Sequence, residues 1–345
     1  MIRYRGNTFL FLLLTLLVTV LLCGCEKKEP HYTVGVIQWT EQIQPFIQSY
    51  RGILDSLNDK GFLEGVNLTI DYVNVEQDNA KALISAKRFI DNGVDLIVTL
   101  GTGSTLEALQ ASQGKPTPLV YSIVGAPEAT GIIRGPKNSG PNITGVSMKI
   151  PMGEQFKLIQ EILPQTNRLG ILFCKETPQA VATGHEATDT AIDIGWQQQT
   201  MSLSSSELTQ LQDKVRQLAE DVDAIYLPTD PILGTPDNIQ TIIRTADQLG
   251  VPVIGVARNF VEAGALAALH CDFYELGRQT SELVVKVLMG IDIQTIPPQK
   301  PMTKRVSINL DKARKLNIEI NRNVILKADY IFDDFTPPAG SNTSP

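Results

Sequence analysis

Leu96-Ile97-Val98-Thr99-Leu100-Gly101-Thr102-Gly103-Ser104-Thr105 decides the fold. Its first five residues read as a buried strand, and a helix runs from the glycine turn to about Gln113. The same alternation extends to both sides. Upstream, 32–37 reads as a strand and 46–60 as an amphipathic helix, with Phe46, Tyr50, Ile53 and Leu57 on one face. A strand at 68–73 and a helix at 79–92 follow. Downstream come strands at 119–123 and 143–146. Strands alternating with helices predict a parallel sheet covered on both faces.

The alternation then restarts. Helix 152–163, strand 169–173, helix 179–194, strand 196–202, helix 206–220, strand 224–227, helix 237–249 and strand 251–255 predict a second sheet. The remaining strand at 264–269, helix at 274–289 and strand at 304–310 are too few for a third domain. The simplest accommodation is that the chain returns to complete both sheets, crossing near Val146, Ala268 and Pro301. The fold class is therefore α/β, with two doubly wound parallel-sheet lobes joined by a three-strand hinge. Lobe 1 is assigned 32–147 plus 272–300, and lobe 2 148–271 plus 301–335. A Pro/Gly/Ser/Thr-rich tail at 336–345 is read as disordered.

The N-terminus has a different composition. Arg3 and Arg5 precede an apolar run from Phe9 to Leu22, which is short for a bilayer span of roughly 20 residues. Leu22-Cys23-Gly24-Cys25 closes it with small residues, the layout of a cleaved secretory leader at 1–24. These four residues resemble a bacterial lipobox, which implies that Cys25 is lipidated and that 25–31 links the body to the lipid. The expected location is the extracytoplasmic face of a membrane.

Composition narrows the function. Of 345 residues, 37 are acidic and 30 basic, giving a net charge of −7, with no basic cluster to form a nucleic-acid groove. The three histidines (His31, His185, His270) lack metal-ligand spacing, and there is no HExxH or CxxC motif. No metal site and no cofactor is expected. Past the leader, Cys174 and Cys271 each end an apolar run and read as buried free thiols rather than a disulfide. No GxSxG motif and no nucleophile–base pair at readable spacing is present, so catalysis is not expected.

Several segments resemble a family. Leu57 with 61–67 (GFLEGVN), 95–98 (DLIV), 142–147 (NITGVS), 223–230 (DAIYLPTD), 264–268 (GALAA) and 272–280 (DFYELGRQT) occur in order along the mature chain. Together they resemble ABC-transporter substrate-binding lipoproteins of the type I periplasmic-binding fold, in the group with tryptophan- and phenylalanine-binding members. The resemblance implies a triple hinge, a ligand cleft, and a permease with its ATPase as partners. Two departures stand out. Gln44-Pro45 replaces the family's His-Pro, and Gly125-Ala126-Pro127 replaces its Thr-Asp-Pro, so an aromatic amino acid does not transfer by default.

Ligands of open parallel sheets gather at the carboxyl ends of strands. That selects Gln38 and Trp39 after the first strand, and Gly101, Thr102, Gly103 and Ser104 after the third. Ser122 ends the fourth. In the second lobe it selects the loop Lys175-Glu176-Thr177, then Thr229, Asp230, Arg258 and Asn259. The 101–105 turn is either an anion site at a helix start or a tight turn with its cap. Asp230 either receives a ligand ammonium or is a turn residue. Trp39 either stacks on a planar ligand or packs in the core. Arg258 either clamps a carboxylate or bridges the lobes.

The leading reading is a monomeric, membrane-tethered protein that closes on a small polar solute, an amino acid or a related compound, and hands it to a permease. The alternative is a sensory module that presents the same closed form to a signalling receptor.

Overall fold

The computed structural model describes residues 30–333 other than 136, 138, 139 and 141. The leader expected at 1–24, the lipid site expected at Cys25 and the tail expected at 336–345 lie outside the described residues. The described residues from Tyr32 onward belong to one compact unit.

The first sheet is built from β1 (Tyr32–Gln38), α1 (Gln44–Asp59), β2 (Leu68–Asn74), α2 (Asn79–Asp91), β3 (Leu96–Leu100), α3 (Thr102–Ala111), β4 (Leu119–Val124) and β5 (Ile143–Ser147). Its order is β2-β1-β3-β4-β5, and every neighbouring pair is parallel. Every residue of β3 and β4 is buried, which is why these strands are apolar without alternation.

The second sheet takes in α4 (Met152–Ile162), β6 (Arg168–Cys174), α5 (Pro178–Asp193), β7 (Gln197–Leu203), α6 (Leu211–Ala219), β8 (Ala224–Tyr226), α7 (Pro236–Gln248), β9 (Val253–Gly255), α8 (Arg258–Glu262) and β10 (Ala267–Cys271). After α9 (Phe273–Leu288) the chain adds β11 (Lys304–Asn309), α10 (Leu310–Lys315), α11 (Arg322–Ile325) and β12 (Tyr330–Phe332). The order is β12-β11-β10-β9-β8-β6-β7.

Two details differ from the expectation. The sheet is not wholly parallel, because β11 runs antiparallel to β10. The chain leaves β10 at Cys271 and returns opposite that residue at Lys304, so β11 can only run back along it. The helix expected over 206–220 also begins as a 3₁₀ turn, Ser205–Gln210. A capping box between Ser204 and Glu207 starts that turn one step early.

The chain passes between the sheets at 148–151, at Asp272 and at 300–303, and these passages lie side by side. Ser147 N–H donates to Gln299 O at 2.9 Å, and Gln299 N–H donates to Gly145 O at 2.8 Å. Asp272 N–H donates to Thr303 O at 3.2 Å, and Gln279 Nε2 donates to Gln299 Oε1 at 2.7 Å.

Helix α9 lies against α1, on the first sheet. Glycines make the approach possible: a Cβ on Gly52 would sit 2.1 Å from Tyr274 O, and one on Gly277 2.0 Å from Ser49 O. Ser56 and Ser281 hydrogen-bond across the same seam, and Tyr274 Oη donates to Asp55 at 2.9 Å.

Candidate functional site

The carboxyl ends of β1, β3 and β4 face those of β6, β8 and β9 across a cleft. Besides a third of about 20 Å³ beyond Met148, Thr229 and Val256, lined by Lys149 and Glu186, two cavities occupy it, both bordered by Phe46, Gln179 and Pro231. The larger, about 250 Å³, lies between the start of α3 and the start of α5. The smaller, about 50 Å³, is the apolar end, walled by Ile123, Met148, Val256, Phe260 and Phe273.

The 101–105 turn divides its roles. Gly101 has φ +110°, a region that favours glycine, and a Cβ there would meet Trp39 Cβ and Phe46 Cε1 at 2.9 Å. A Cβ on Gly103 would meet the Trp39 ring at 2.5 Å. Both glycines therefore make room for Trp39, which is buried against the turn with one edge on the larger cavity. Ser104 spends its hydroxyl on Leu100 O (2.9 Å) and Gly101 O (3.1 Å). Thr105 donates to Gly101 O at 2.6 Å. Thr102 is the exception: only 4% exposed, it lines the cavity with its hydroxyl unpartnered.

The second sheet mirrors this arrangement. Thr177 is the N-cap residue of α5, with Pro178 in the first turn, yet its side chain makes no capping bond and its buried hydroxyl has no partner. Two helix starts from two sheets thus border one cavity, each with an unused hydroxyl. The amide groups of a helix's first turn and the positive end of its dipole favour a negative charge.

The charged groups lining these two cavities are all acidic, Glu107, Glu176 and Asp230, and the third carries Lys149 paired with Glu186 at 3.0 Å. Glu176 accepts from the Cys174 thiol at 3.0 Å and from Ser205 N–H at 3.0 Å, and these bonds hold its carboxyl below the usual range. Asp230 is buried, and its carboxylate accepts backbone N–H bonds from Cys174 (2.6 Å), Ile232 (2.8 Å) and Leu233 (3.0 Å). Burial outweighs these donors and lifts its pKa to about 6. Asp230 thus ties its own turn to β6 and also borders the smaller cavity.

Of the sequence candidates, Trp39, Thr102, Gly103, Thr229, Asp230 and Asn259 border a cavity. Asn259 does so with its Oδ1 unpartnered. Gln38, Gly101, Ser104, Ser122 and Arg258 border neither of the two. Gln38 donates to Thr40 O at 3.0 Å, and its buried Oε1 is unpartnered. The Ser122 hydroxyl lies 3.0 Å from both Ser49 and Thr280, beneath the helices. Arg258 turns outward, pairing with Glu262 at 2.7 Å and lying 4.2 Å over the Tyr330 ring.

Phe46, Glu107, Gln179 and Ile123 also line the cleft, though sequence reasoning gave them no ligand role. Of the loop Lys175-Glu176-Thr177 that strand-end position selects, Glu176 and Thr177 border the larger cavity and Lys175 does not, and a threonine followed by proline marks the helix start there. Cys174 and Cys271 are buried and free, and burial raises both thiols. No acidic, histidine or cysteine cluster able to hold a metal occurs among the described residues, and no helix among them could cross a membrane.

Comparison with known proteins places this architecture. The family described as "ABC transporter substrate binding protein" matches residues 33–331. A curated tyrosine-binding protein of Clostridioides difficile (strain R20291) is 24% identical over 294 residues, 85% of this chain and 83% of that protein. A Streptococcus pneumonia domain solved in complex with L-Trp is 25% identical, with a TM-score of 0.80 over 88% of this chain and all of that one. A conserved domain protein of Vibrio cholerae is 28% identical, with a TM-score of 0.79 over 87% of this chain and 99% of that one. These are binding proteins rather than enzymes where their role is stated, and the fold resemblance read from the sequence holds across both sheets. The chain belongs to the ABC transporter substrate binding protein family.

Proposed function

We propose that the cleft takes an L-amino acid, its carboxylate between the starts of α3 and α5 and its ammonium toward the acidic groups of the cavities. The observation that carries this is the pair of opposed helix starts with unused threonine hydroxyls, Thr102 and Thr177. An anion can be met there by amides and hydroxyls alone, so a carboxylate suits the larger cavity although no lysine or arginine lines it. The surplus of carboxylates then requires a positive charge on the same ligand. Asp230 retains acceptor capacity beyond its three N–H bonds, and Asn259 Oδ1 is unpartnered beside the same cavity. The named ligands of the C. difficile and S. pneumonia relatives, tyrosine and L-Trp, are of this class.

A ligand that touches both helix starts favours the closed arrangement, because only that arrangement brings them to one site. In this reading the two sheets with their helices move as lobes about the three passages, Cys25 carries the lipid anchor on the extracytoplasmic face, and a permease receives the solute from the closed form. Thermal unfolding of the purified chain with a panel of amino acids, sugars and nucleosides tests the ligand class. An amino acid at 100 times its Kd is expected to stabilise the fold by about 2.7 kcal/mol. Stabilisation by a sugar or nucleoside, with none by any amino acid, would contradict the reading.

A further inference from the structure

Ile123 adopts φ +53°, a left-handed conformation that is a genuine outlier for a β-branched residue. It sits at the end of β4, where the pairing with β5 slips between Ser122 and Val124. Both flanks are pinned. The Ser122 hydroxyl is held by Ser49 and Thr280, Val124 pairs with Ser147, and Met148 N–H donates to Val124 O at 3.0 Å. In a regular strand Ile123 would face away from the side that Ser122 faces. The irregularity re-aims it, as bulges beside binding sites do, into the apolar end of the cleft, where it is 3% exposed.

That apolar end is small. Phe46 and Ile123 from the first sheet and Val256 and Phe260 from the second leave about 50 Å³, with Met148 of the first passage at its side. A ligand side chain that reaches this end meets Ile123, so its length decides how well it is seated.

We infer that Ile123 is a specificity-determining residue, which limits how far the ligand's side chain reaches into the apolar end and disfavours the largest ones. This rests on the amino-acid reading above, with the carboxylate in the larger cavity, the ammonium where Asp230 and Asn259 border the smaller one, and the side chain directed toward Ile123. The strained conformer acts as the stop at the cavity's end: a side chain held there by two pinned neighbours cannot retreat when a larger ligand presses on it.

Calorimetric titration of the purified chain with leucine, isoleucine, phenylalanine and tryptophan tests the inference, alongside Ile123→Gly and Ile123→Ala. Glycine suits the left-handed conformation, and alanine shortens the side chain without the added freedom of glycine. The wild type is expected to bind leucine or isoleucine at least tenfold more tightly than phenylalanine or tryptophan. Either variant is expected to move that ratio at least tenfold toward the aromatic ligand. A wild type that prefers an aromatic, two variants that keep the wild-type ratio, or folded variants that bind neither class would each overturn the inference. Binding of no amino acid by the wild type is a separate result, which removes the ligand class itself and the inference with it.

Discussion

Asp230→Ala is expected to lower the unfolding free energy by about 3 kcal/mol or more. The carboxylate gathers N–H groups from β6 at Cys174 and from its own turn at Ile232 and Leu233. Truncation leaves three donors without their acceptor, and each buried orphan costs about 1–3 kcal/mol, less where cavity water can reach it. Asp230→Asn keeps one carbonyl oxygen and is expected to lose less. The pH dependence has a definite sign. Asp230 is raised from 3.8 to about 6 in the folded chain, so between those values the folded state binds more protons than the unfolded one. Its contribution to stability is present in acid and is lost as the pH rises through about 6. The margin of the wild type over Asp230→Asn therefore shrinks across that range. Denaturant unfolding of the three proteins at pH 4.5 and 7.5 checks both parts. An Asp230→Ala loss below about 1 kcal/mol would show that the turn does not need the carboxylate.

Gly277→Val is expected to be at least as damaging. A Cβ at this position falls 2.0 Å from Ser49 O and 2.8 Å from Ser49 C, both backbone atoms of α1. Helix backbones cannot step aside as side-chain tips do, so α9 must shift as a unit. Overpacking of this kind costs typically 1–3 kcal/mol and more where nothing yields, so a loss of about 3 kcal/mol is expected. Helix propensity argues the other way, since glycine inside a helix is about 1 kcal/mol worse than alanine. The two effects thus separate cleanly in a melting experiment. An unchanged or raised midpoint for Gly277→Val would mean that α9 does not rest on α1.

How much of this was legible in the sequence depends on the residue. The alternation of strands and helices was readable because buried parallel strands such as β3 and β4 are mostly apolar without polar alternation, and because amphipathic helices carry their own period. The reversal of β11 was not, since direction follows from where the chain re-enters the sheet and not from side-chain pattern. At the site, strand-end geometry picked out Thr102, Asp230 and Asn259. It equally picked out Ser104 and Arg258, because type and position do not tell whether a hydroxyl is already spent or a guanidinium has turned toward Tyr330. Ile123 left no trace at all. An isoleucine at the end of a strand is an ordinary residue for that place, and its unusual φ is visible only in the folded backbone. Glu107 reads as an exposed helix residue until the start of α5 is found across the larger cavity from it.

The central claim is that two helix starts, one from each sheet, share the carboxylate of one ligand. The most direct measurement is calorimetric titration of the purified chain with its best amino-acid ligand and with that ligand's C-terminal carboxamide, which keeps the ammonium and the side chain but removes the negative charge. The account predicts that the carboxamide binds at least a hundredfold more weakly, a difference of about 2.7 kcal/mol. Equal affinities for the acid and the amide would contradict it.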